Sequence, residues 1–354
     1  MEDASKDHQL RSGFGRYHRQ MLCPQIGEAG QRRLADSAVT LIGCGALGTV
    51  IADSLVRAGV GRLRIVDRDF VELNNLQRQV LFDEGDVEAG VPKAVAAAEK
   101  LSRVNSTVQI EPIVADAHGG NILPWAQDAA LIMDGTDNFE TRFLINDVSV
   151  KLQIPWVYGA CIATGGMMMP ILPGQTACLR CVWSEPPPPG SSPTCDTAGI
   201  LGTTVHFVAT LQVNEALKIL TGRLDDVTRH LVQIDAWRPA MEHFEIGAAR
   251  TPDCPCCGQR RFEYLDRPAG DRQATLCGRN AVQIGGGDGA MADLSAVAAR
   301  VAPVAKRPLL QSRYLLRFTV DHYAITLFRD GRAIIQGTQD ITEARSAYAR
   351  YIGS

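Results

Sequence analysis

Two Cys-x-x-Cys pairs dominate the chemistry available to this chain. The first is Cys178-Leu179-Arg180-Cys181; the second is Cys254-Pro255-Cys256-Cys257, followed by Gly258. Four thiolates presented by two tight turns make a closed tetrahedral zinc site, with no position left for water or substrate. Such an ion is a structural staple, joining parts of the chain that are distant in sequence. A redox dithiol or plain buried cysteines are the competing readings. Cys254 with Cys257 gives the cleaner spacing, although Cys256 could replace Cys254 as the ligand.

A second constellation begins at Gly43-Cys44-Gly45-Ala46-Leu47-Gly48. The glycines Gly43, Gly45 and Gly48 let a backbone approach phosphate oxygens, and a helix opening there offers free N–H groups and a positive dipole end. Asp67 closes the next apolar run, where an acid accepts hydrogen bonds from a ribose. Alone, this would suggest NAD. The following residues argue otherwise. Asp69, Asn74-Asn75-Leu76-Gln77-Arg78-Gln79 and Pro92-Lys93 place amides and two cations close behind the loop. That set suits a triphosphate, whose oxygens Arg78 and Lys93 would clamp. Asp134-Gly135-Thr136-Asp137-Asn138 follows another apolar run. An Asp there is placed either for Mg²⁺ or for capping the helix that begins next.

Elements must hold these groups in one place. Ala38–Ile42 and Arg62–Val66 read as strands around an amphipathic helix ending near Ala58, a βαβ unit with the glycine turn in position. Val108–Val114, Ala129–Met133 and Trp156–Tyr158 read as further strands, with helices over Gly27–Leu34, Lys93–Leu101 and Glu140–Leu152 between elements. This alternation predicts an α/β fold with a Rossmann-like, doubly wound sheet. From Gly165 the pattern becomes partly antiparallel, with strands at Met167–Leu172 and Leu231–Ala236 and a buried helix over Val205–Leu220. The proline-rich run Ser184–Pro193 reads as an exposed, mobile crossover. Residues 1–15 read as disordered, and 259–354 as a small C-terminal α+β module. In that module Tyr314–Val320, Tyr323–Phe328 and Arg332–Gln336 are expected strands, with a turn at Arg329-Asp330-Gly331, a flexible loop at Gly285–Gly289 and a helix over Ile341–Tyr351.

The chain has 354 residues, 45% hydrophobic and 21% charged, with a net charge of −3 and ten cysteines. Length allows one large and one small domain. The charge disfavours a bulk nucleic-acid binder. Met1–Gln9 lacks an apolar signal core and no stretch is apolar enough to span a membrane, so cytoplasm is the expected compartment. Cysteines in such a context point to metal or catalysis rather than disulfides.

Taken in order, Arg16-Tyr17-His18-Arg19-Gln20, the glycine loop, Asn75-Leu76-Gln77-Arg78-Gln79, Pro92-Lys93, Thr136-Asp137-Asn138 and both cysteine pairs resemble the ThiF/MoeB/HesA family, over residues 16–258. These proteins are relatives of the adenylating half of ubiquitin-activating enzymes. The resemblance implies adenylation, with ATP and Mg²⁺, of the C-terminal Gly-Gly of a small β-grasp sulfur-carrier protein. It also implies a homodimer, one structural zinc per subunit and an external sulfur donor. It gives Asp67 the ribose, Asn75, Arg78 and Lys93 the phosphates, and Asp137 the Mg²⁺. Arg19 would reach the triphosphate of the neighbouring subunit. Cys195, just past the proline-rich run, stands where relatives often carry a cysteine that accepts the acyl group; an inert loop cysteine is the alternative. Cys277 does not sit in a rhodanese-like loop, so no sulfur transfer is assigned to it. The competing functions are a HesA-type relative adenylating another substrate (a tRNA-modifying dehydratase or a peptide-adenylating enzyme), an inactive zinc-stapled dimeric scaffold, and a nicotinamide dehydrogenase.

Overall fold

Val39, Thr40, Leu41 and Ile42 are all buried. A strand apolar on both faces belongs at the centre of a parallel sheet, covered by helices above and below. Strand β1 (Ala38–Ile42) is that strand. The computed structural model describes residues 14–188, 195–267, 274–276, 280–285 and 292–353. The chain divides into two units. The first comprises Met1–Phe82, Lys93–Pro186 and Ile200–Arg267; the second comprises Asp83–Pro92, Pro187–Gly199 and Pro268–Ser354.

In the first unit, β2 (Arg62–Asp67), β3 (Gln109–Val114), β4 (Leu131–Asp134), β5 (Trp156–Ile162), β6 (Gly165–Ile171), β7 (His230–Asp235) and β8 (Ala240–Glu245) join β1 in one sheet, ordered β3-β2-β1-β4-β5-β6-β7-β8. The run from β3 to β5 is parallel, and β6, β7 and β8 turn antiparallel. Its longer helices are α1 (Gly27–Asp36), α2 (Ala46–Ala58), α3 (Lys93–Val104), α4 (Phe139–Leu152) and α5 (Gly202–Leu220). Leu47, Ile51 and Leu55 bury one stripe of α2, each contributing about 1.5–3 kcal/mol. The order of connection reverses between β1 and β4, which opens a crevice at the carboxyl ends of those two strands.

The expected elements are present, with shifted ends. β4 starts two residues later than expected, and β5 runs on to Ile162. β8 was not expected: all six of its residues are exposed, so neither alternation nor an apolar run marks it. Residues 184–188 form neither helix nor strand, and the rest of the proline-rich run lies outside the described residues. No helix among the described residues is long and apolar enough to cross a membrane.

The second unit is a six-stranded antiparallel sheet of β9 (Ala274–Leu276), β10 (Ala281–Ile284), β11 (Leu310–Gln311), β12 (Leu315–Val320), β13 (Tyr323–Phe328) and β14 (Ala333–Gln336). Its order is β11-β12-β13-β14-β10-β9. Phe318, Ile325, Leu327 and Ile335 pack against α6 (Leu294–Val301) and α7 (Ile341–Tyr351). Asp340 caps α7, accepting from the Thr342 and Glu343 N–H groups at 2.7 and 3.0 Å. Three of these strands and α7 were expected; β9, β10, β11 and α6 were not. Cys277 and most of the Gly285–Gly289 loop lie outside the described residues.

Candidate functional site

The glycine loop leaves β1 and turns into α2 across the crevice. Gly43 has φ +89°, a conformation that L side chains rarely adopt. A Cβ on Gly48 would lie 2.1 Å from the Gly43 carbonyl oxygen. A Cβ on Gly135, in the loop after β4, would lie 2.2 Å from the same oxygen. One carbonyl therefore sets the spacing of both loops. Asp67, at the end of β2, braces the turn from the side. Its two carboxylate oxygens accept from the Cys44 N–H at 2.6 Å and the Asp69 N–H at 2.7 Å. Burial pushes this carboxyl up, and the ammonium of Lys93 pulls it back. Each oxygen keeps a second lone pair for a further donor.

Lys93 opens α3 and is buried. Its Nζ stands 3.5 Å from Asp69 Oδ2, and its backbone N–H bonds the Asp69 carbonyl at 2.9 Å. The glycine loop, Asp67, Asp69 and Lys93 thus form one connected group. Asn75, also buried, lies in a 3₁₀ turn (Leu73–Asn75) and accepts from the Glu72 N–H at 3.3 Å. Arg78 is held over that turn, donating to the Asn74 carbonyl at 2.8 Å. Gln79 reaches the loop itself, where its Nε2 would stand 3.9 Å from a Cβ on Gly45. Its Oε1 is buried with no hydrogen-bond partner. Arg68 was not anticipated. It pairs with Asp116 at 3.0 Å; burial opposes its charge, but Asp116, Asp69 and Asp137 outweigh that and hold its pKa up.

The turn after β4 separates two roles that the sequence left open. Asn138 is the helix cap, accepting from the Thr141 N–H at 2.9 Å, a bond worth about 1 kcal/mol. Asp137 is exposed and not used for capping. Asp134, also unanticipated, is fully buried. Its Oδ2 accepts from Arg142 Nε at 3.1 Å, and its Oδ1 from the Thr136 N–H at 2.8 Å and hydroxyl at 2.7 Å. Arg142 also donates to the carbonyls of Thr136 at 2.7 Å and Gly159 at 2.9 Å. The pair locks the loop that presents Asp137. Removing one member strands the other charge in the core, so Arg142→Met should cost about 3–5 kcal/mol in urea denaturation. A loss below about 1 kcal/mol would show that the pair is not what holds the loop.

The four cysteines of the predicted metal centre converge. The Sγ atoms of Cys178, Cys181, Cys254 and Cys257 all lie within 4.8 Å of one another. Cys178 to Cys254 is 3.6 Å and Cys181 to Cys257 is 3.3 Å. Cys254 rather than Cys256 completes this set. The donors fit a divalent ion. As thiols they compete for one charge: the S–H groups around Cys178, Cys181 above all, hold it far below the usual thiol range, and Cys181 in turn is pushed up to about 12. A zinc ion is what would let four thiolates coexist. Asn146 and Asp147 of α4 also reach this region. Asp147 accepts from the Tyr264 and Leu265 N–H groups at 2.8 and 3.3 Å, and burial pushes its carboxyl up to about 6.

Arg19 and Cys195 are the remaining predicted residues. Arg19 is exposed on the short helix His18–Met21. Its neighbour Gln20 donates to the Ala58 carbonyl at 3.0 Å, and the Tyr17 ring lies 2.4 Å from where a Cβ on Gly59 would stand. Both contacts are at the carboxyl end of α2. The glycine loop is at its amino end, 13 residues away, or about 20 Å at about 1.5 Å per residue. Arg19 cannot span that distance within its own chain. Cys195 opens a short helix, Cys195–Ala198, in the second unit.

A model of the ThiF family matches residues 17–256. Over 96% of its length the chain is 43% identical to a sulfur carrier protein ThiS adenylyltransferase of Bacillus subtilis, spanning 99% of that protein. Over 74% it is 40% identical to a sulfur carrier protein adenylyltransferase of Thermus thermophilus, spanning 96% of it. Among solved structures, Escherichia coli MccB with MccA-N7isoASN superposes with a TM-score of 0.61 at 22% identity, covering 70% of this chain and 75% of that one, a likeness of fold. The glycine loop, the acid at the end of β2 and the four-cysteine cluster agree with these matches, and the chain belongs to the ThiF family.

Proposed function

We propose that this protein uses ATP to adenylate the C-terminal glycine of a small β-grasp sulfur-carrier protein. One observation carries the reading beyond the family: near-full-length identity to a ThiS adenylyltransferase, extending through the second unit as well as the first. The crevice is consistent with it. The thiol at the glycine loop, Cys44, is fully buried and burial pushes its pKa up, so it is a poor nucleophile. What remains is a positioning site. Asp67 takes the ribose hydroxyls, the α2 N-terminus and Lys93 take phosphate oxygens, and Asn75 and Arg78 close over them. Mg²⁺ would supply charge neutralisation, and the exposed carboxylate of Asp137 is the group that would hold it. The carrier's carboxylate oxygen attacks the α-phosphorus, the bond to the β-phosphate oxygen breaks, and pyrophosphate leaves. Catalysis is then alignment and charge stabilisation.

Arg19 completes the site from a second copy of the chain, because its own crevice is out of its reach. A two-fold homodimer makes two equivalent composite sites. Cys195 acts later, accepting the acyl group from AMP before sulfur is delivered by an external donor.

The test is ATP–pyrophosphate exchange with a carrier ending in Gly-Gly. Exchange should require both Mg²⁺ and the carrier's terminal glycine, and should survive Cys195→Ser while thiocarboxylate formation falls. Exchange that continues with a carrier truncated by its last two glycines would overturn the assignment.

A further inference from the structure

The zinc reading leaves one sulfur over. Cys256 is fully buried beside the four ligands. The Cys178 sulfur lies 3.6 Å from that of Cys254 and 3.8 Å from that of Cys181, and the Asn146 amide nitrogen reaches the sulfurs of both Cys178 and Cys256. Five sulfurs stand around a site with four places. Sequence spacing alone does not decide between Cys254 and Cys256.

Helix α4 decides. Asn146 is fully buried and donates from Nδ2 to Cys256 Sγ at 3.2 Å, with a longer contact to Cys178 Sγ at 3.7 Å. Which way this amide faces is set by its other end. Asn146 Oδ1 accepts from the Leu179 N–H at 2.8 Å. A backbone N–H can only donate, so the NH₂ group must point at the sulfurs. The same bond anchors the turn between Cys178 and Cys181. The spare sulfur is therefore tethered from the helix side by Asn146, and among the described residues no side chain of α4 bonds the Cys254 sulfur.

We propose that Asn146 selects the ligand set. Its Nδ2–H holds Cys256 Sγ toward α4, and the ion is left with Cys178, Cys181, Cys254 and Cys257. Asn146 is a positioning residue: it touches ligands and the excluded sulfur, not the ion. The inference rests on the zinc reading, and wild-type protein separates the two, since a full chain purified without one zinc would refute that reading by itself.

The experiment measures zinc affinity by chelator competition and counts thiolates from the cobalt(II) spectrum, in the full-length protein. Cys256→Ser should keep the wild-type affinity and a four-thiolate spectrum. Cys254→Ser should bind at least about tenfold more weakly and show a three-thiolate spectrum, because Cys256 is held away. Adding Asn146→Ala to Cys254→Ser should restore a four-thiolate spectrum as Cys256 moves into the open place. Asn146→Ser in the same background is the second variant, keeping a small polar group where alanine leaves a cavity. The restoration should vanish when Cys256→Ser is added. If Cys254→Ser alone binds as tightly as wild type, or if neither Asn146 variant restores the fourth thiolate, Asn146 does not select the ligands.

Discussion

Replacing Asp137 by alanine should reduce Mg²⁺-dependent ATP–pyrophosphate exchange by at least about 100-fold, the scale expected when a group stabilising transition-state charge is lost. The fold should persist. Asp137 is exposed and Asn138 carries the cap of α4, so stability should change by no more than about 0.5 kcal/mol. A second measurement tests the shared site. Mixing Asp137→Ala chains with Arg19→Ala chains creates heterodimers in which one composite site is whole and the other carries both changes. After full exchange of subunits, about a quarter of wild-type activity should return. Normal exchange by Asp137→Ala would remove the metal role. No recovery on mixing, with exchange verified, would return Arg19 to the surface as an ordinary cation.

Chelating the proposed zinc should have the largest effect on the fold. Structural zinc contributes on the order of 10 kcal/mol, comparable with the whole stability of an ordinary domain. Cys178 and Cys181 follow β6, and Cys254 and Cys257 follow β8, so one ion would close the antiparallel end of the sheet onto α4. Cys178→Ser, or a strong chelator, should therefore unfold the first unit cooperatively, followed by circular dichroism and by zinc release. Retention of a native melting transition in metal-free protein would show that the cluster is packing rather than coordination.

Much of the architecture can be read from local signals. Gly43, Gly48 and Asp67 stand at fixed intervals along one βαβ unit, and each interval follows from the local geometry of a strand, a turn and a helix. The cysteine pairs are legible for the same reason. What escaped was long-range. Asp134 and Arg142 sit in one loop-helix segment, yet nothing in their spacing tells that both are buried or that Gly159, from another strand, supplies a carbonyl to the arginine. Asn146 looks like any helical polar residue until two cysteine turns arrive from elsewhere in the chain. β8 is hidden because an edge strand exposed at every position has no periodicity to detect. The choice of Cys254 over Cys256 was favoured by spacing but not closed at the level of sequence, because both thiols lie in the same short turn.

The contact among Gly43, Gly48 and Gly135 restricts how this sequence can drift. At most surface positions a replacement is absorbed by a side chain moving aside. Here the obstacle is a main-chain oxygen, 2.1 Å from where a methyl on residue 48 would stand and 2.2 Å from where one on residue 135 would stand. No second substitution can shorten a carbonyl. Alanine at 48 must distort the turn between β1 and α2, and alanine at 135 must push that turn away from the loop after β4 that carries Asp137. Variation in this protein should therefore be concentrated in the side chains around the crevice, while these backbone positions stay fixed across any library selected for activity.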